Sequence, residues 1–561
     1  MNDMRDNPHV KVLAGELAEK KIDRREFVRF ATLLGLSATT AYGLAGKISG
    51  ESFAPKAQAQ ALPKGGVFRL GNRIKEIKNP HTYSWGAYDS NMSRQVVEYL
   101  TFTDEKGVTH PYLFEKWDVT PDLKTWTFKV RQGVKWSNGD TLTADQIIWN
   151  LKRVLDEDVG SSMLGLMAGY MLKDADLGKK DDKGNPKKSQ VLWDANAIEK
   201  VDDSTVRFNC KVPQVAVPEH LFHYPMAILH PDDKGVFGVG SKGTGAFEFV
   251  DFSVGKQATF KRRNGYWGGD AALDGIEMTD VGDDPSAAIA ALASQQIHGL
   301  VFADPVQYEA LAAMPHLQFY SVPTGETQVM RMKVTEKPFD DARVRNAMRA
   351  ALDPDAIVKV ALHGLGRAGE HHHSSVAHPE YAALPKRPRD VALAKKLLAD
   401  AGHPDGIDVE LNVPTDLPWG QVQAETAVEQ WKEAGIRVKI NLMPGASYWD
   451  VWTKVPFGST IWYHRPLGIM TYGLAYRTGV PWNESSYSSK EFDDLLGQAE
   501  GVYEVDKRRD LMAKMEKILQ DDGPLAQPLF RDTFTFMDKK VQGFSMHPTN
   551  YFFGWKVGLQ A

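Results

Sequence analysis

The chain has 561 residues, 42% hydrophobic and 25% charged, the proportions of an ordinary soluble globular protein and more than one core can serve, so two or three domains are expected. Its net charge of −5 gives no electrostatic case for nucleic-acid binding, which would call for a basic face. A single cysteine, Cys210, excludes both an intramolecular disulfide and a zinc site built from cysteines.

Residues 1–61 read as an export leader and stand apart from the fold. Asp23-Arg24-Arg25-Glu26-Phe27-Val28-Arg29 is similar to a twin-arginine signal, with Asp23 where Ser or Thr is usual. The apolar stretch 30–46 is too short to span a membrane, and Ala57-Gln58-Ala59 or Ala59-Gln60-Ala61 suits a signal peptidase. No cysteine follows that could carry a lipid, so the mature protein is expected free in the periplasm.

The mature chain opens with strand Lys64-Gly65-Gly66-Val67-Phe68-Arg69-Leu70-Gly71 and a loop holding Tyr83, Trp85 and Tyr88, and residues 93–100 read as the first helix. Thr125 to Val130 alternates, with Trp126, Phe128 and Val130 on one face. Asn138-Gly139-Asp140 is a tight turn, and Thr143 caps a helix whose stripe is Ile147, Ile148, Leu151, Val154 and Leu155. Residues 174–190 are charged and aperiodic, hence a solvated loop. Gly238-Val239-Gly240-Ser241-Lys242-Gly243 satisfies a dinucleotide-loop pattern, but a strand follows where a phosphate loop needs a helix. Beyond residue 320, helices at 391–401 and 424–433 alternate with strands at 409–411 and 438–442, so a parallel or mixed sheet is expected.

The run from Pro111 to Arg153 resembles the signature of the family 5 extracellular solute-binding proteins, receptors of bacterial ABC importers for peptides, nickel and opines. Pro111, Leu113, Trp117, Val119, Asp122, Thr125, Trp126, Phe128, Arg131, Gly133, Lys135, Gly139, Ala144, Asp145 and Arg153 carry the match. Further matches are Asn264-Gly265-Tyr266-Trp267-Gly268 and Pro338-Phe339-Asp340-Asp341-Ala342-Arg343-Val344-Arg345, so the likeness covers residues 64–557. It implies an α/β fold of mixed sheets in two lobes: lobe I at 62–322 with an extra subdomain near 108–235, lobe II at 323–523, and a return to lobe I at 524–561. Crossovers near 320–331 and 524–534 would form the hinge.

The resemblance further implies a monomer that closes over a small molecule or short peptide and delivers it to a permease and ATPase in the membrane, with no chemistry and no cofactor. Such a cleft needs aromatic walls and a few orienting polar groups. Peptide-binding relatives carry an aspartate where this chain has Ile461-Trp462-Tyr463-His464-Arg465-Pro466, and no acid lies between Ile461 and Arg477. An anionic, amino-acid- or opine-like ligand held by Arg465 is therefore expected, with Trp462, Tyr463, His464 and Trp482 around it. The plainer reading pairs Arg465 with a structural acid such as Glu484. Trp85, Tyr83, Arg331 and Trp419 are further candidates for the ligand site.

His371-His372-His373 invites a metal, but consecutive histidines diverge, and a mobile polar loop is expected instead. The rivals are a general oligopeptide receptor, a periplasmic hydrolase, and a sensor or chaperone partner on the same fold. No G-x-S-x-G, H-E-x-x-H or cysteine–histidine motif supports the hydrolase.

Overall fold

Two long antiparallel strands, Leu317–Met332 and Leu529–Asp538, form the spine of the molecule in the computed structural model, which describes residues 7–50, 61–77, 79–82, 87–176, 178 and 189–560. They lie in one twelve-stranded sheet. On one flank come Gly299–Leu300, Val67–Asn72, Gly275–Asp280, Gln257–Arg262 and Phe247–Ser253. On the other come Phe457–Trp462, Ile407–Pro414 and Ile436–Met443, the last two parallel as the βα alternation predicts. The spine pairing slips register between Val322 and Glu326. There Thr324 Oγ1 donates to the Arg531 carbonyl at 2.7 Å, and Glu326 pairs with Arg531 at 3.1 Å, both side chains fully buried.

A separate four-stranded antiparallel sheet holds the family-signature region, in the order Phe114–Val119, Thr125–Val130, Thr205–Asn209, Ile198–Asp202. Trp126, Phe128 and Val130 are buried there, as their alternation requires. The next helix, Ala144–Val154, starts at Thr143 with a capping box completed by Gln146, and buries Ile147, Leu151 and Val154. Helices Gly468–Ala475, Lys490–Gly501 and Val505–Asp522 share an apolar core with this half of the chain, while a second core gathers residues between Met330 and Tyr463.

Several sequence readings differ from the structure. The first helix is Ala87–Ser93, ending where it was expected to begin. Residues 94–100 are irregular because their carbonyls serve neighbours: Gln95 O accepts from Phe247 N, Val96 O from Gly245 N, and Glu98 O from Ile228 N. The helix expected from 424 starts earlier and spans Pro418–Lys432, with the proline in its first turn. The insertion read as a loop is flanked by paired strands, Leu172–Ala175 and Ser189–Leu192.

The N-terminal segment, set aside as a leader, forms three helices, Pro8–Ala18, Arg24–Leu33 and Ala38–Ser49. Phe27, Phe30, Ala31 and Leu34 join the first core, since an apolar face left in water would cost more than docking it. Arg29 Nε donates to Gly107 O at 3.0 Å and its Nη2 to Pro466 O, while Trp117 Nε1 donates to Leu33 O at 2.9 Å and Arg509 pairs with Glu26 at 2.6 Å. The segment thus touches the chain on both sides of the first crossover. Residues 51–60, with the expected cleavage positions, lie outside the described residues.

Candidate functional site

Strand Phe457–Trp462 delivers its last residues to the spine, with Thr327 paired to Trp462, and the chain then turns through Tyr463, His464 and Arg465. Trp462, Tyr463, His464 and Arg465 are all buried. Trp462 donates Nε1 to Glu484 at 2.8 Å, its ring 4.9 Å from His373 and 5.9 Å, edge-on, from Trp482. The half-buried Trp482 stacks 6.2 Å from Tyr224. Four of the sequence candidates, Arg465, Trp462, His464 and Trp482, therefore share one neighbourhood, with Tyr463 backing it from the second core.

The Arg465 guanidinium is 2% exposed. Its Nη1 donates to the carbonyls of Tyr463 and His464, its Nη2 lies 3.4 Å from the Tyr224 hydroxyl, and its Nε has no partner among the described residues. Nε and Nη2 form the edge that grips a carboxylate in a fork. Among the described residues no carboxylate pairs with it. The structural alternative, Glu484, is already engaged: it accepts from Arg331 Nε at 3.1 Å, Thr460 Oγ1 at 2.6 Å and Trp462 Nε1 at 2.8 Å.

The same network changes the reading of Arg331. Fully buried, it donates from every nitrogen: Nε to Glu484, Nη1 to Val455 O at 2.5 Å, and Nη2 to Trp452 O. It holds the turn beneath the site rather than offering a free charge to a ligand. Trp419 is also fully buried; it belongs to the second core, with the Arg531 guanidinium 5.4 Å from its ring. Tyr83 and Trp85 lie outside the described residues.

The histidine run is not a mobile loop. His371, His372 and His373 are buried. Gln527, on the returning crossover, fixes the segment by accepting from His371 N at 3.0 Å and donating its own N–H to His371 Nδ1 at 3.2 Å. His373 Nδ1 meets the Tyr476 hydroxyl at 2.8 Å. His378 stacks on His464 with ring centroids 5.4 Å apart, and His464 Nδ1 accepts from Gly325 N. Among the described residues no group of three or more potential ligands could hold a metal ion. Burial drives the histidines neutral, His378 to about 3 and His223, His373 and His464 well below the usual range, and the Arg465 charge adds to the effect at all four. Held neutral, these four histidines add no further positive charge beside Arg465.

Two polar groups of the first side escaped the sequence reading. Asp89 is buried with Oδ1 unpartnered among the described residues, and burial raises its carboxyl to about 6, opposed by Lys75. Arg94 follows the same short helix and is buried beside Tyr551. The signal was the run Asp89-Ser90-Asn91-Met92-Ser93-Arg94-Gln95, polar yet nearly inaccessible; periodicity does not reveal which polar runs fold inward.

Residues 108–516 match the profile of the bacterial extracellular solute-binding proteins, family 5. The di/tripeptide-binding protein 1 of Pseudomonas aeruginosa is 25% identical over 520 residues, covering 86% of this chain and 92% of that protein. The dipeptide-binding protein of Escherichia coli is 23% identical over 507 residues, covering 84% and 90%. Among solved structures, the periplasmic binding protein DppA of Helicobacter pylori in complex with peptide STSA superposes with a TM-score of 0.77 at 20% identity, covering 89% of this chain and 99% of that one. AgaA of A. tumefaciens R10, in complex with agropinic acid, gives 0.76 at 21% identity, covering 88% and 99%. These neighbours share the two-lobed periplasmic binding fold. The chain belongs to the family 5 bacterial extracellular solute-binding proteins and is a substrate-binding receptor of the ABC-importer class.

Proposed function

We propose that this receptor captures an anionic, amino-acid- or opine-like solute between its lobes and releases it unaltered to an ABC permease and ATPase. The observation that carries the reading is the fork edge of Arg465: buried, without a carboxylate partner among the described residues, 5.5 Å from the Tyr224 ring that stacks on Trp482, and with neutral histidines as its electrostatic neighbours. Burying an unpaired cation is costly, and an incoming carboxylate removes that cost. Asp89, with an oxygen unpartnered among the described residues, suits the ammonium of an amino-acid-like solute. That one structural neighbour is a complex with agropinic acid supports an acidic ligand. Periplasmic location, with export directed by the twin-arginine segment and cleavage near residues 59–61, belongs to the same reading.

Native mass spectrometry of the purified full-length chain, followed by tryptophan-fluorescence titration with the molecule it retains, tests the proposal. An acidic co-purified solute that quenches saturably and is recovered unchanged is expected. A neutral or cationic solute would end the anion reading, and a chemically converted one would end the receptor reading.

A further inference from the structure

We propose that Arg94 is a second anion-binding group of the same cleft, so that the solute carries two negative groups, one read from each side of the hinge. This rests on the anionic-ligand reading above and goes beyond it by naming the ligand as a dianion.

Arg94 is 6% exposed, and none of its three nitrogens has a hydrogen-bond partner among the described residues. Rings surround it instead: its Cζ lies 3.8 Å from the Tyr551 centroid, 4.3 Å from Tyr99, 5.2 Å from Phe222 and 5.5 Å from Phe553. Stacking on a ring face attracts the charge, but the N–H bonds lie in the guanidinium plane, and the one acceptor near them is the hydroxyl of the stacked Tyr551. Buried polar groups are almost always paired, and charged ones more so. Arg465 shares the condition at its Nε alone, its Nη1 and Nη2 being hydrogen-bonded.

The two are linked through a pair of tyrosines. Arg94 packs on the Tyr551 ring, the Tyr551 hydroxyl lies against the Tyr224 backbone and feels both guanidinium charges, and the Tyr224 hydroxyl is 3.4 Å from Arg465 Nη2. Arg94 precedes the first crossover strand and Arg465 follows it. Closing the lobes on an empty cleft therefore brings two like charges toward one poorly hydrated space, which opposes closure. A solute with an anionic group at each end reverses the sign, so the closed state is favoured only when a dianion is aboard.

The test uses the full-length chain and two probe series, the linear monocarboxylates from butanoate to octanoate and the dicarboxylates from succinate to suberate, titrated by tryptophan fluorescence against wild type, R94Q, R94K and R465Q. In the wild type at least one dicarboxylate should bind at least about tenfold more tightly than its monocarboxylate partner, the scale of one charge-assisted hydrogen bond. R94Q should bring that ratio to within about twofold while monocarboxylate affinity stays unchanged, R94K should restore most of it, and R465Q should weaken both series. A ratio untouched by R94Q overturns the role of Arg94 and leaves the anionic reading standing. Failure of the wild type to bind either series overturns the role of Arg94, while the anionic reading is decided by the charge of the co-purified solute. Thermal melts of each variant identify a folding defect, and the R94K rescue then decides the matter, since a purely structural cation would not track the second carboxylate.

Discussion

Substitution of Arg465 separates a binding role from a structural one by the sign of its effect on the empty protein. In the structure Nη1 is committed to two backbone carbonyls, whereas Nη2 has one 3.4 Å contact with the Tyr224 hydroxyl and Nε has no partner among the described residues. Two charge-assisted hydrogen bonds to a carboxylate are worth about 1.5–3 kcal/mol each before non-additivity, so R465A should weaken the acidic solute by about 3 kcal/mol, roughly a 150-fold rise in Kd. R465K keeps the charge but loses the fork and should cost about 1.5 kcal/mol, roughly tenfold. Because the wild-type cation is buried without a carboxylate among the described residues, removing it should leave the melting temperature of the ligand-free protein unchanged or raised. Isothermal titration gives the Kd values and differential scanning fluorimetry the melting temperatures, with and without solute. A fall of several degrees in the ligand-free R465A melt, with affinity within twofold of wild type, would refute the reasoning and return Arg465 to the scaffold.

The opposite pattern is expected at Glu484. E484A strands the fully buried Arg331 charge and frees the Trp462 indole N–H, and should destabilise the protein by about 3–5 kcal/mol, measured from urea midpoints; an unchanged midpoint would show that Arg331 does not depend on it. Histidines buried as neutral groups, with His81, His220, His378 and His547 lowered to about 3, bind fewer protons folded than unfolded, so their contribution is complete above their ordinary value near 6.5 and is lost as pH falls toward 3. Glu219 and Glu516, raised by burial to about 7, act oppositely, favouring the fold at low pH and losing that contribution between about 4.5 and 7. Acid unfolding followed by circular dichroism should therefore steepen below about pH 4.5, where the carboxyls no longer compensate, and a slope that flattens there would contradict the neutral burial of the histidines. T143A removes the cap of Ala144–Val154 and should cost about 0.5–2 kcal/mol in the same urea assay, with no measurable loss counting against the capping box. R29M cuts the hydrogen bonds to Gly107 and Pro466, so limited trypsinolysis should release residues 1–50 faster while the main melt stays in place; an unaltered rate would mean the apolar face alone holds the segment.

Local order was legible in the sequence because local physics writes it there. The alternation from Thr125 to Val130, the positive-φ Gly139 in its turn (φ 94°), and the Thr143 cap all depend on residues within a few positions of one another. The long family pattern carried the two-lobed fold for the same reason: it is a string of such local rules. Residues 94–100 escaped because their carbonyls are drawn to strands and turns more than a hundred residues away, and only those partners make a helix there unfavourable.

Sequence alone determined the fold, the receptor class and the missing acid between Ile461 and Arg477. Which arginine meets a carboxylate among the described residues was a tertiary decision. Arg331 and Arg465 are alike in composition and both buried, yet Glu484 lies 153 positions from Arg331 and closes on it, whereas Arg465 reaches only carbonyls and a tyrosine. The histidine run was settled in the same way, by Gln527 and Tyr476 on distant elements. A charge finds its partner through contacts that only the closed chain creates, and the cost of leaving it without one exists only once water has been excluded.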